Sequence, residues 1–587
     1  MADRLDRELG PPPGSSRLWA LLPYALFCLL YAATFRRWVL PFEDSGREMN
    51  TALRLAHGEA LYRDVGYSYG FLPPFVDGLL VRAFGRNLDV LIAWRTLLAL
   101  LGVEALRRLA RRLVPGETAA AAICAFAVAA CAFGTGGSWP FPYSVAALAG
   151  SVGAWWALEL SLASGSPAGS MAAAAVAGVA AGAKFEMMPV ALFGPFLVLL
   201  RRRPRREAIA AGVVMAAGVG LAAGVPLVRF GAGLMKRQGF LIALSVPESW
   251  RRLYQILIFG EMSPREFVRG GFLGSLFPSV ILIALVLFLP RKAGPRPMLL
   301  APLFFVVGAL TFLSPGNAWV HALLPLAGCL AAGWLLRAAL AWWWAEGGPA
   351  PLDPATLGVS LVMLPALLRQ PFFLRNPIYG AFSAPLALVV AFGWLCRRPH
   401  ARSAATALAL GLAAAQAADR VREIGMADMT LTQLPGASVK LLPGESRFVT
   451  EAAKAIREVV PEGGSVGIFP EPGFLLFVTD RRNPFVDELF VPGMQNAAAE
   501  DLMIQRLRER PPDALLVTNR PYLEFGGAYY GSGVLDRFFR EVSSRYVLAR
   551  RIDAGPLTAQ FTHGTHATKG LLLVPRETAA RGRSQAP

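Results

Sequence analysis

Charge, cysteine and histidine are all scarce in this 587-residue chain. Only 17% of its residues are charged, against 55% hydrophobic, and a soluble protein of this length needs more polar surface. The five cysteines, Cys28, Cys124, Cys131, Cys329 and Cys396, all fall inside apolar stretches and form no CxxC. They read as small core residues rather than a disulfide framework. Of the five histidines only His563 and His566 lie close together, and they read as a stray polar pair rather than metal-ligand spacing. No internal repeat is present, and the "GGSVG" near residue 465 lacks the spacing of a nucleotide loop. The stretch Arg17 to Phe35 is followed by no small-residue cleavage site, so it is expected to be a permanent helix rather than a signal peptide. The net charge of +18 does not point to nucleic acid, because the arginines cluster in short blocks between apolar runs, which is how membrane topology is written.

What is abundant is apolar sequence. Runs at about 17–35, 88–106, 118–134, 144–163, 170–184, 187–200, 208–227, 271–290, 298–313, 320–343, 355–369, 382–396 and 403–420 predict thirteen transmembrane helices. Even numbers of runs separate the basic blocks "RRLARR" (107–112), "RRRPRR" (201–206), "RKAGPR" (291–296) and "RRPHAR" (397–402). All four then lie in the cytoplasm, with the N-terminus inside and the C-terminus outside. Arg36 and Arg37 conflict with this rule, since they fall outside. The short stretch "FLPPFVDGLLVRAFG" (71–85) begins at a Pro pair and carries Asp77 and Arg82, which favours an interfacial helix over a crossing.

The expected fold is therefore an α-helical polytopic membrane protein with a C-terminal soluble α/β domain. Residues 1–16 form a cytoplasmic N-terminus, 17–420 the membrane module with a first outer loop at 36–87, and 421–446 a linker. Residues 447–576 form the outer-face domain and 577–587 a disordered tail. In that domain "TEAAKAIREVV", "DLMIQRLRER" and "GVLDRFFREV" read as helices, and "GSVGIF", "DALLVT" and "YVLARRI" as strands expected to be parallel.

The first outer loop concentrates acids: Glu43, Asp44, Glu48, Glu59 and Asp64. "DSGREMNTALRLAHG" reads as a helix capped by Asp44 and ended by Gly58, with Glu48 one turn after the cap. Capping and catalysis are compatible for Asp44, because a helix N-terminus favours anionic ligands. Elsewhere on the outer face "AGAKFEMMP" places Lys184 and Glu186 between two apolar helices, where a snorkelling lysine paired with the glutamate is the plainer reading. Ionisable groups at the membrane edge are nonetheless functional candidates. His321 in "SPGNAWVHALLP", Arg369 and Arg375 in "RQPFFLRNPIYG", and Trp139 and Tyr143 in "GSWPFPYS" complete the outer-face set, the aromatics also fitting an interfacial belt.

Residues 41–85, with "EDSGRE", "RLAHGEALYRDVGYSYG" and "LPPFVDGLLVRAFG", resemble the first outer loop of GT-C superfamily glycosyltransferases. The branch they resemble holds protein O-mannosyltransferase-like and lipid A aminoarabinose transferase-like members, and "AGAKFEMMP" looks like that family's helix-end lysine segment. The resemblance implies transfer of a sugar from a polyprenyl-phosphate carrier to a lipid, glycan or protein acceptor on the outer membrane face, with inversion at the anomeric carbon. It implies Asp44 as the general base, Glu48 as its helper, and Arg47, Lys184 and Arg375 as cations facing the departing phosphate. Glu186 and His321 join the substrate-binding set. Many members carry a second acid in the next outer loop, which here reads "GTGGSWPFPYS". A divalent metal requirement is therefore left open, and no other cofactor is expected. The expected location is a bacterial plasma (inner) membrane. Two other readings stand beside this one: a transporter or flippase of lipid-linked sugars, and a non-catalytic scaffold with a GT-C-like fold.

Overall fold

The computed structural model describes residues 15–39, 41–42, 44–131, 144–184, 188–239, 296–310, 384–422, 428–490, 497–520, 535–555 and 567–578. Its first thirteen helices are α1 (Ser15–Thr34), α2 (Asp44–Ala56), α3 (Leu72–Phe84), α4 (Leu88–Leu113), α5 (Glu117–Cys131), α6 (Val145–Ala163), α7 (Pro167–Ala183), α8 (Met188–Arg202), α9 (Arg205–Val219), α10 (Val225–Gln238), α11 (Arg296–Leu310), α12 (Ala384–Cys396) and α13 (Pro399–Arg420). The runs predicted at 271–290, 320–343 and 355–369 lie outside the described residues. The remaining runs fall on α1 and on α4 to α13.

Two helical stretches among the described residues are long and apolar enough to cross a membrane: Val145–Ala163, and Arg205–Lys236. The second joins α9 to α10 through a π turn at Gly220–Gly224. Only 22% of its apolar window is buried, and Val213, Leu221 and Val228 are exposed. So much bare apolar surface suits lipid rather than water. Inside the bundle, small residues let backbones approach. A Cβ on Gly178 of α7 would lie 3.1 Å from the Cα of Gly218 on α9, the close helix contact favoured where lipid, not water, is the solvent.

The loop between α1 and α4 is built from α2 and α3. Gly58, at φ 88°, ends α2, with its N–H donating to the Leu55 carbonyl at 3.0 Å. Helix α3 has 13 residues, about 20 Å of helix against the ~30 Å of a bilayer core. It shows Phe75, Leu79 and Phe84 to the outside, as an interfacial helix does. Asp77 does not lie at that surface: it is fully buried, 2.7 Å from Arg95 of α4. The helix turns its apolar residues outward and its acid inward, which sequence polarity alone would reverse.

The C-terminal part contains β1 (Thr430–Leu434), β2 (Ala437–Leu441), α14 (Pro443–Val459), β3 (Val466–Phe469), α15 (Gly473–Thr479), α16 (Ala497–Glu509), β4 (Ala514–Thr518), α17 (Asp536–Arg545), β5 (Tyr546–Asp553) and β6 (Lys569–Pro575). The stretch 421–446, expected as a linker, holds the antiparallel β1–β2 hairpin. That hairpin clips both ends of the loop between α1 and α4. The Lys440 N–H donates to the Arg36 carbonyl, and the Leu88 N–H to the Gly436 carbonyl, each at 2.8 Å. Arg36, whose charge conflicts with the topology rule, is paired with Asp89 at 2.8 Å and donates to Ser438 at 2.7 Å.

The larger sheet runs β3-β4-β6-β5. Among the described strands only β3 and β4 form a parallel pair; β4–β6 and β5–β6 are antiparallel, so β3, β4 and β5 run in one sense and the expectation of parallel strands fails at β6. The reason is the connections. A parallel return needs a helical crossover, which α15 and α16 supply between β3 and β4, whereas no described helix separates β5 from β6. The apolar core runs without a break from the helical bundle into this domain. Phe42 of the loop packs on Phe448 of α14, ring centroids 5.6 Å apart.

Candidate active site

The loop helix α2 is buried on almost every side: Ser45, Glu48, Met49, Asn50, Thr51, Ala52, Leu53 and Arg54 are all covered. Asp44 is its first residue and Glu48 lies one turn on. A glutamate 1% exposed needs donors, since burying a lone charge is costly. The Tyr67 hydroxyl supplies one, donating to the carboxylate at 3.2 Å from Oε1 and 3.3 Å from Oε2. Burial pushes the Tyr67 phenol well above its ordinary range, and the negative charges of Glu48 and Asp77 push it further, with Arg47 opposing. Tyr67 therefore keeps its proton and acts as a donor.

The next aromatic continues the chain of contacts. Tyr69 meets Tyr67 edge to face, centroids 5.6 Å apart, and its ring carries the Lys184 ammonium 4.8 Å from the centroid. Lys184 is 3% exposed and caps the C-terminal end of α7, where the helix dipole favours a cation. The Tyr62 hydroxyl donates to the Tyr69 carbonyl at 2.6 Å. The Gly70 N–H donates to the Ala183 carbonyl at 3.1 Å. A Cβ at residue 70 would lie 1.7 Å from the Gly182 carbonyl oxygen, so only glycine lets "YSYG" lie against α7.

Glu48 and Lys184 are thus brought into one buried junction, with Asp44 opening the same helix. Arg47 sits half-buried on α2, near enough to oppose the Tyr67 shift. Glu186, His321 and Arg375 lie outside the described residues. Of the other loop acids, Glu59 accepts from Arg54 at 2.7 Å. Asp64 caps the Ala60 N–H at 2.8 Å, which makes both of them structural ties of the loop. Among the described residues no group of three or more His, Cys, Asp or Glu is placed to hold a metal ion.

Sequence reading passes over Tyr67 and Tyr69 as site residues, although the alternating "GYSYG" with its terminal glycine is a signal for a segment pressed against backbone. It also singles out no residue of the C-terminal domain, whose expected part is to cover the site or bind acceptor. Helix α15 packs directly on the start of α2: a Cβ on Gly473 would lie 2.1 Å from the Gly46 carbonyl carbon. Just before it, Glu471 pairs with Arg520 at 3.0 Å, both buried, at the carboxyl ends of the parallel strands β3 and β4.

No family model matches this chain, and no curated protein matches it in sequence. Among solved structures it is similar to ArnT from Cupriavidus metallidurans, with 15% identity over 95% of this chain and 98% of that one, at a TM-score of 0.44. It is similar to the Archaeoglobus fulgidus oligosaccharyltransferase, with 13% identity over 86% of this chain and 67% of that one, at 0.46. The arabinofuranosyltransferase AftD from Mycobacteria is similar at 15% identity over 96% of this chain and 40% of that one, at 0.40. Likenesses this distant give no residue a role.

Proposed function

We propose that the protein is an integral-membrane glycosyltransferase that moves a sugar from a polyprenyl-phosphate carrier to an acceptor at the outer face of a bacterial plasma membrane. The observation that carries this reading is the buried junction of Glu48, Tyr67, Tyr69 and Lys184, built on the loop that resembles the GT-C first outer loop and opened by Asp44. A helix start that bears an acid and a sheltered cation are the two groups a single displacement at an anomeric carbon requires.

In this reading the acceptor oxygen attacks the anomeric carbon and configuration inverts. The bond from that carbon to the phosphate oxygen breaks, and its electron pair leaves with the polyprenyl phosphate. Asp44 takes the proton released by the acceptor. Lys184 and Arg47 offset the charge that grows on the phosphate, joined by Arg375. Glu48, held by Tyr67, orients the acceptor, and Glu186 and His321 complete the substrate contacts.

The test is release of polyprenyl phosphate by the purified protein given a panel of polyprenyl-phosphate sugars and candidate acceptors. Release that depends on the protein is the expected outcome; silence across the whole panel overturns the reading. Tyr67→Phe sharpens the test, because it leaves shape intact and removes one hydrogen bond to a buried carboxylate. Such a bond is worth about 1.5–3 kcal/mol, so kcat should fall roughly 10- to 100-fold. An unchanged kcat in this variant removes Glu48 from the chemistry.

A further inference from the structure

Helix α2 carries Asp44 and Glu48 on one side, and its other side is gripped by the C-terminal domain. Asn50 and Arg54 lie roughly 200° and 240° around the helix from Glu48, facing away from Tyr67. Both donate to a single carboxylate of the C-terminal domain. Asn50 Nδ2 reaches Glu488 Oε2 at 2.7 Å, and Arg54 Nη1 reaches Glu488 Oε1. The same guanidinium donates to the Phe485 carbonyl at 3.1 Å and the Asp64 carbonyl at 2.6 Å. Asn483 Nδ2 holds Glu488 from behind at 3.2 Å, and the Gly66 N–H donates to the Val486 carbonyl at 3.0 Å. Glu488 is 2% exposed and Arg54 4%, so neither charge has water as an alternative partner.

Two features make this more than glue. The grip is bidentate and spans one helical turn, which fixes rotation of α2 about its axis as well as its position along it. At the start of the helix the Gly46–Gly473 backbone contact leaves no slack. A buried ionic network of this kind adds little net stability, and its best-attested use is to fix register.

We propose that Glu488 is a positioning residue of the transferase site, acting through Asn50 and Arg54 to set α2 so that Asp44 and Glu48 face the substrates. The C-terminal domain is then a working part of the active site rather than a separate appendage. This rests on the function proposed above.

The experiment compares wild type, Glu488→Gln, Glu488→Asp, Arg54→Met and the Arg54→Met/Glu488→Gln double variant as full-length protein in lipid nanodiscs. Two quantities are followed: amide hydrogen exchange across residues 44–56 and across β3 and β4, and kcat and KM for the polyprenyl-phosphate sugar. Glu488→Gln keeps the volume and loses the charge. It should speed exchange in α2 at least tenfold while β3 and β4 stay protected, and lower kcat at least tenfold with donor KM within twofold. Glu488→Asp, which keeps the charge, should recover part of both. The double variant should be no worse than Arg54→Met alone, the mark of two groups acting as one. Unchanged α2 exchange in Glu488→Gln overturns the proposal. So does loss of protection throughout the sheet, or a KM rise that accounts for the whole effect. If wild type turns over no donor, the functional reading fails by itself, and the exchange data still decide whether Glu488 holds α2.

Discussion

Asp44→Asn lowers sugar transfer by about 10²- to 10⁴-fold, the range a positioned general base contributes, while the melting temperature stays at the wild-type value. The substitution is chosen for what it preserves. Asp44 is the first helical residue, one place inside the cap position expected for it, and asparagine matches its shape there, so α2 keeps its start and the Gly46–Gly473 contact beneath it. The shape of the site and the Glu48–Tyr67 hydrogen bond are likewise untouched. What disappears is the ability to take a proton. Donor KM should move little, because Lys184 and Arg47, not Asp44, are assigned to the phosphate. Release of polyprenyl phosphate at the wild-type rate by this variant would reduce Asp44 to a first-turn residue of α2 and remove the proposed mechanism. A fall in rate that comes with a fall in melting temperature would point to a damaged loop instead. Glu48→Gln is the companion: a smaller loss places Asp44 as the base, whereas the reverse order exchanges their roles.

How far sequence reaches depends on how local the determinant is. The helix at Leu72–Phe84 is legible because a Pro pair starts it and Gly85 follows its end. The strands of "GSVGIF" and "DALLVT" are legible because apolar runs bounded by polar turns have few other uses. Strand direction is not written that way, and β6 enters the sheet between β4 and β5 without any local mark of its antiparallel sense. The hairpin at 430–441 did carry a mark, since "LPGA" is a turn signal flanked by alternating residues. In the site, Asp44 and Glu48 announce themselves by helix spacing. The Tyr69–Lys184 contact and the Arg54–Glu488 pair join residues far apart in the chain, the latter separated by 434 positions. No periodicity can bring such partners together; packing of the loop on α7 joins the first pair, and docking of the C-terminal domain joins the second.

The largest effect on stability is expected at Arg95, beneath the same loop. Arg95 and Asp77 are both fully buried and joined at 2.7 Å, and Asp77 Oδ1 makes no hydrogen bond among the described residues. Burial pushes the Asp77 carboxyl above its ordinary range, with Arg95 acting against that push. Arg95→Met removes the opposing cation and leaves an uncompensated buried acid, a change that costs about 3–5 kcal/mol. The carboxyl can soften this loss by taking a proton, which makes the cost depend on pH. A carboxyl whose folded pKa lies above its unfolded value of about 3.9 gives stability that is fully present below that value. This stability is lost as pH rises through the folded pKa, with a slope of up to about 1.4 kcal/mol per unit. Arg95→Met should therefore melt well below wild type at pH 8 and recover several degrees at pH 5. The Asp77→Asn/Arg95→Met double variant should lose that pH dependence. Thermal unfolding of the three proteins across this range checks it, and a variant whose melting temperature tracks wild type at every pH would mean that the Asp77 carboxyl carries no charge even beside Arg95.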